Sequence, residues 1–179
     1  MTDQHLPVFT VGHSTRSIPE FAELLRAGPV ELLVDVRSVP RSWSNPQFNA
    51  DVLAGELAPY QVDYMRIGEL GGLRKKSDVP PEVNDFWNNA SFHNYADYAL
   101  SEAFRTGLSQ LLDLSAQRRS AIMCAEAVWW RCHRRIIADY LIEAGRTVFH
   151  LMNANDVVPA EMTRGVVAAG KGRLHYPAV

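Results

Sequence analysis

The chain reads as a single α/β domain, residues 1–179, with a mostly parallel sheet of about five strands and helices on both faces. Two observations predict this. Short apolar runs near Pro7–Val11, Val30–Val36, Val62–Ile67, Ser120–Met123 and Thr147–Met152 alternate with stretches whose apolar residues recur at helical spacing. Val30–Val36 is also apolar almost throughout, as expected of a strand covered on both faces. A length of 179 residues suits one domain with a real core, and 47% hydrophobic residues supply it.

Each element has a local reason. Gly12-His13-Ser14 follows the first strand at its outgoing end. Ser17 and Glu20 form a capping-box pattern, and Ile18, Phe21, Ala22 and Leu25 then make one helical face that Gly28-Pro29 ends. Asp35 and Arg37 mark the end of the second strand. The polar loop Ser38–Asn49 leads to a short helix with Asn49 as cap and Val52, Leu53 and Leu57 as its apolar side. A weaker strand, Val62–Ile67, precedes a basic loop, Gly68–Ser77, and Pro80-Pro81 starts a turn. Asn94 is placed to cap one long helix carrying Leu100, Phe104, Leu108 and Leu111. After Ser120–Met123, helical spacing of Ile137, Tyr140, Leu141 and Ala144 puts Cys132, His133 and Arg134 on a first helical turn. Gly145 closes that helix. The tail after Asn153 has no clear pattern.

Right-handed crossovers put the outgoing ends of parallel strands on one edge, so His13, Arg37, Gly68 and Cys124 should share a rim. Strand tips facing a helix N-terminus favour anions, because free N–H groups and the helix dipole point there. Arg37, Arg41 and Arg134, with Ser14 and Ser42, are the candidate anion-binding residues. Arg74, Lys75, Lys76, Arg131 and Arg135 lie in neighbouring segments, with Trp43, Trp129 and Trp130 able to stack on bases.

Cys124, Glu126, Cys132, His133 and His13 are the candidate catalytic residues. Cys132 combines a helix N-terminus with adjacent cations, both of which lower a thiol pKa. Cys124 instead has the strand-end position of the nucleophile in rhodanese-like and phosphatase-like folds, and a Rossmann-like sheet offers the same edge. The alternative is that both cysteines are packing residues. His13 and Glu126 are candidates for acid–base work; a turn histidine bonded to backbone and an ion pair with Arg37, Arg131 or Arg134 are their structural alternatives. No metal site is expected, because Cys-x7-Cys-His lacks the usual short ligand spacing.

A net charge of −2 argues against bulk electrostatic attraction to nucleic acid and leaves room for a local basic patch. Two cysteines do not make a secreted disulfide framework, and no apolar run spans a bilayer. The amino terminus has no basic region followed by an apolar run, so no leader is expected and a cytoplasmic, reduced protein is.

Taken together, Gly12-His13-Ser14, Asp35-Val36-Arg37, Pro40-x-Ser42 with Asn45-Pro46-Gln47-Phe48, Leu70-Gly71-Gly72, Cys124-Ala125-Glu126 and Cys132-His133-Arg134 occur in an order that resembles the bacterial and archaeal domain-of-unknown-function family four-eight-eight. The resemblance runs from Val8 to Met152 and implies one α/β domain with the last two motifs in one site. It implies no particular reaction or cofactor. The expectation is therefore a pocket at the strand carboxyl edge, acting with Cys/His/Glu chemistry on a phosphate-bearing substrate, a nucleotide or nucleic acid. A nucleic-acid-binding module without catalysis, and a Cys/His metal-binding or protein-interaction domain, are the alternatives. Cofactor and oligomeric state are left open.

Overall fold

The computed structural model describes residues 5–179. The amino-terminal stretch read for a leader lies partly outside the described residues. Six strands form one sheet in the order β3-β2-β4-β1-β5-β6. Strands β1 (Val8–Gly12), β2 (Leu32–Asp35), β3 (Asp63–Arg66), β4 (Ser120–Cys124) and β5 (Val148–Asn153) run parallel. Strand β6 (Asp156–Pro159) returns antiparallel from β5. The parallel set matches the five predicted runs. The sixth strand comes from the tail that carried no pattern, as does a hairpin of β7 (Val167–Ala168) and β8 (Leu174–His175). Side chains of β6 and β7 are largely exposed, so neither shows the apolar run that reveals a buried strand.

Strand alternation sorts the core into two layers. Phe9, Val11, Leu33, Ala121 and Met123 point to one face, where they meet α1 (Ile18–Arg26) and α2 (Ala50–Leu57). Val8, Leu32, Val34 and Ile122 point to the other, under α3 (Ala90–Tyr98), α4 (Glu102–Gln117) and α5 (Arg134–Glu143). Helix α1 begins with the predicted capping box, in which Ser17 and Glu20 bond each other's backbone N–H. It buries Ile18, Phe21, Ala22, Leu24 and Leu25; each of the large side chains contributes about 1.5–3 kcal/mol when removed from water.

The long helix expected from Asn94 is two helices. Asn89 caps α3 by accepting from the Ser91 and Phe92 N–H groups, and Ser101 caps α4 by accepting from Phe104 N–H. Asn94 sits inside α3 and donates to the Arg74 carbonyl. The apolar spacing runs on through the break, and only the Ser101 cap gives it away. The carboxyl-terminal segment is anchored on α5: Tyr176 donates to Asp139, which also accepts from Thr163 N–H.

Candidate active site

The parallel strands carry β1, β2 and β4 to one edge, and their following loops enclose a cavity of about 410 Å³. Cys124, Ala125 and Glu126 enter its lining from the end of β4. Arg131, Cys132 and His133 come from the approach to α5, Arg37, Val39 and Arg41 from beyond β2, and Gly72 and Leu73 from the basic loop. The amino end of α3 supplies Asn89, Ser91 and Phe92.

Two glycines make this convergence possible. A Cβ on Gly12 would lie 1.8 Å from the Glu126 carbonyl oxygen, so only glycine lets the loop after β4 fold back over β1. A Cβ on Gly72 would lie 2.5 Å from His133 Nδ1, so the basic loop can close against the imidazole only there.

The sulfurs of Cys124 and Cys132 are 2.6 Å apart, both cysteines are free, and 3% and 6% of their surfaces are exposed. Beside them lies Arg134, wholly buried. Its Nε donates to Cys124 Sγ at 3.0 Å, Nη1 to Thr10 Oγ1 at 3.0 Å and Nη2 to the Glu126 carbonyl at 2.7 Å. Among the described residues no carboxylate pairs with it. A buried cation needs a counter-charge, and the sulfurs are the ionisable groups in contact with it. The geometry therefore favours one shared thiolate. Burial raises both thiols. For Cys124 that effect, with its bond to Cys132, prevails and the pKa is raised. For Cys132 burial is outweighed by the Cys124 thiol, the Arg134 charge and the Arg134 backbone N–H, and the pKa falls to about 7.

His133 completes the group. Its Nε2–H donates to the Val36 carbonyl at 2.7 Å, which leaves Nδ1 as an acceptor 3.4 Å from Cys132 Sγ. Burial holds its pKa below the ordinary value, so the ring is neutral at pH 7 and able to accept a hydrogen bond from the thiol. Behind Arg134, Thr10 Oγ1 lies 2.6 Å from His150 Nδ1, and Trp129 stacks on His150 with rings 4.5 Å apart. Burial, then the Arg134 charge, pushes His150 down to about 3. It is thus neutral, accepts from the Thr10 hydroxyl and leaves a Thr10 lone pair for Arg134.

The remaining predicted residues divide. Arg41 and Arg131 are exposed at the cavity and unpaired among the described residues. Arg37 reaches the cavity, yet its guanidinium is bound by Asp35 through Nε at 2.9 Å and Nη2 at 2.6 Å, and it also donates to the Phe48 carbonyl. His13 is buried, stacks on Phe48, bonds the Ser14 carbonyl and faces Arg37 Nη1 at 3.3 Å; burial, then the Arg37 charge, lowers its pKa. Ser14 takes a left-handed backbone (φ 49°) and donates its N–H to the Ala125 carbonyl. Ser42 folds its own loop by accepting from Asn45 N–H. None of His13, Ser14 and Ser42 lines the cavity. Glu126 lines it but forms no ion pair with Arg37, Arg131 or Arg134, because its carboxylate is exposed to water and only its carbonyl meets Arg134. Arg74 lies over the Tyr98 ring, and Arg135 over Trp87 and Trp129.

Sequence reasoning missed Thr10 and His150. Each is a polar residue set in an apolar strand, and that was the available signal. Among the described residues no group of three or more His, Cys, Asp or Glu side chains is arranged to hold a metal ion, and no helix is long and apolar enough to cross a membrane.

No curated protein and no solved structure gives a significant match to the chain. A family model does, over residues 17–141, which take in both cysteines, His133, Arg134 and the loops around them. The chain belongs to the DUF488 family, a domain of unknown function.

Proposed function

We propose that the protein is a cysteine-dependent enzyme acting on a phosphate-bearing substrate, a nucleotide or a nucleic-acid end. One observation carries the reading: the buried Arg134 guanidinium, without a carboxylate, lies against a thiol pair that opens into a cavity flanked by Arg41 and Arg131. In this scheme Arg41 and Arg131 hold the anion, because an exposed unpaired guanidinium can fork onto phosphate oxygens. Cys132 is the nucleophile, and His133 Nδ1, 3.4 Å from its sulfur, orients it by accepting from the thiol when it is protonated. Arg134 steadies the thiolate, and Glu126 lies at the cavity wall, where its carboxylate can accept a hydrogen bond from the substrate or an attacking water. Arg37 and His13 position the loop after β2, with Asp35 holding Arg37. The chemistry requires a reducing compartment such as the cytoplasm, where both thiols stay free.

The test is turnover of a panel of phosphomonoesters, nucleotides and short oligonucleotides with phosphorylated ends, in wild type and in Cys132→Ser. Turnover that drops at least 100-fold in Cys132→Ser, with folding intact, supports the reading. Equal turnover in both proteins rejects it.

A second reading is a nucleic-acid-binding module without catalysis. It is favoured by Trp43, fully exposed two residues from Arg41. It predicts affinity that falls steeply with salt and does not change when the cysteines are alkylated.

A further inference from the structure

The two sulfurs sit closer than a nucleophile and a bystander need to. The two sulfurs are direct neighbours, so a disulfide between them needs only side-chain adjustment and no backbone rearrangement. Their exposures of 3% and 6% admit a small electrophile from the cavity and exclude a bulky protein disulfide. Arg134 decides how strong that electrophile must be. Its Nε rests on Cys124 Sγ, and oxidation of the pair removes the charge that balances a wholly buried guanidinium. This penalises the disulfide relative to the reduced pair and raises the reduction potential, so only a strongly oxidising substrate can drive the reaction. Val39, Leu73 and Phe92 add an apolar wall to the cationic mouth.

From these features we infer that Cys124 and Cys132 form a dithiol that reduces small hydroperoxides, with Cys132 attacking and Cys124 resolving. The inference rests on Cys132 being the cavity's thiolate, as in the proposed function, and adds a second activity at that site. In the first step the Cys132 thiolate attacks the terminal peroxide oxygen. A sulfur–oxygen bond forms, the oxygen–oxygen bond breaks, and the sulfur gives up two electrons to become a sulfenic acid. The leaving alkoxide takes a proton from water in the cavity to give an alcohol, and Arg131, in the cavity lining, faces the charge that develops there. In the second step the Cys124 thiol attacks the sulfenic sulfur, closing the disulfide and releasing water. A dithiol reductant then exchanges with the disulfide, is itself oxidised, and restores both thiols.

The experiment uses the full chain with hydrogen peroxide and cumene hydroperoxide as probes, dithiothreitol as reductant, and thiol titration with mass spectrometry as readout. Wild type should lose two thiols per peroxide, on the order of tenfold faster than the same chain unfolded in urea, and recover them with dithiothreitol. Cys124→Ser should stop at a sulfenic acid on Cys132 that a cyclic 1,3-dione labels, and Cys132→Ser should not label. A native rate no faster than the unfolded one overturns the inference, as does labelling of Cys124 in place of Cys132. Phosphate binding measured on the same preparations separates the two ideas. Retained phosphate binding with a slow peroxide reaction removes the peroxide activity and leaves the proposed function standing.

Discussion

Replacing Arg134 with methionine tests the electrostatic centre of the site. Methionine keeps much of the stem volume and removes the charge, together with the donors to Cys124, Thr10 and the Glu126 carbonyl. In the wild-type fold, against burial, the Cys124 thiol and the Arg134 charge draw Cys132 down to about 7, while an unfolded thiol titrates at about 8.5. A thiol whose folded pKa is depressed adds stability that is fully present above the unfolded pKa and disappears as the pH falls through 7. A shift of about 1.5 units corresponds to about 2 kcal/mol. Without the guanidinium, burial dominates and the folded thiol titrates above the unfolded one, so the variant gains nothing at high pH. The stability gap between wild type and Arg134→Met should therefore be wider by at least about 2 kcal/mol at pH 9 than at pH 6. Lost hydrogen bonds lower the variant at both pH values and cancel in that difference. Urea unfolding in the presence of reductant measures the gap, and thiolate ultraviolet absorbance against pH gives the midpoint. A gap that does not change with pH, or a midpoint that stays near 7, would refute the assignment of Arg134 as the thiolate's counter-charge.

Other outcomes follow from named contacts. Thr10→Val removes an acceptor from Arg134 and a donor to His150, and should cost about 2–3 kcal/mol in urea unfolding, with a raised thiolate midpoint. Asp35→Asn leaves a buried Arg37 without its partner and should cost about 3–5 kcal/mol by the same assay. Gly72→Ala pushes on the His133 ring, and about 1–3 kcal/mol of strain should appear as a lower melting temperature with altered thiol reactivity. Arg41→Ala with Arg131→Ala should weaken phosphate binding by calorimetry at least about tenfold and leave unfolding within about 0.5 kcal/mol of wild type, since both side chains are exposed. Below pH 6.5 the unfolded chain takes up protons that His13, His133 and His150 resist in the fold, because burial lowers all three. Stability should therefore fall with acidification by up to about 1.4 kcal/mol per pH unit for each histidine. His150→Gln should flatten the curve toward pH 3.

The parallel strands were legible because each is a short apolar run, and the shared rim followed from crossover handedness. Ser17 and Glu20 announced α1 through a pattern that works locally. The break between α3 and α4 was hidden because apolar spacing continues across it, and a single serine makes the cap. The edge strand β6 and the hairpin were hidden for another reason: their pairing is set by distant partners, and exposed side chains carry no periodic signal. At the site, residue types gave the thiols, His133 and Arg134. They could not give direction. Glu126 contributes a carbonyl where a carboxylate was expected, His13 turns toward Arg37 and Phe48, and Trp129 lies on His150. Thr10 and His150 are far apart in the chain, and only the β1–β5 pairing, which sets Thr10 opposite His150, makes them neighbours.

Strand β1 lies between β4 and β5, in the middle of the sheet, yet it precedes the stretch that the family model matches. A fragment trimmed to 17–141 would thus be missing its keystone: Met123 and Cys124 would have no backbone partner on that side, and the guanidinium behind the thiols would lose its hydroxyl support. For expression work or domain swapping, the useful unit begins before Val8 and runs past Tyr176, which is buried against α5, wider at both ends than the shared signature.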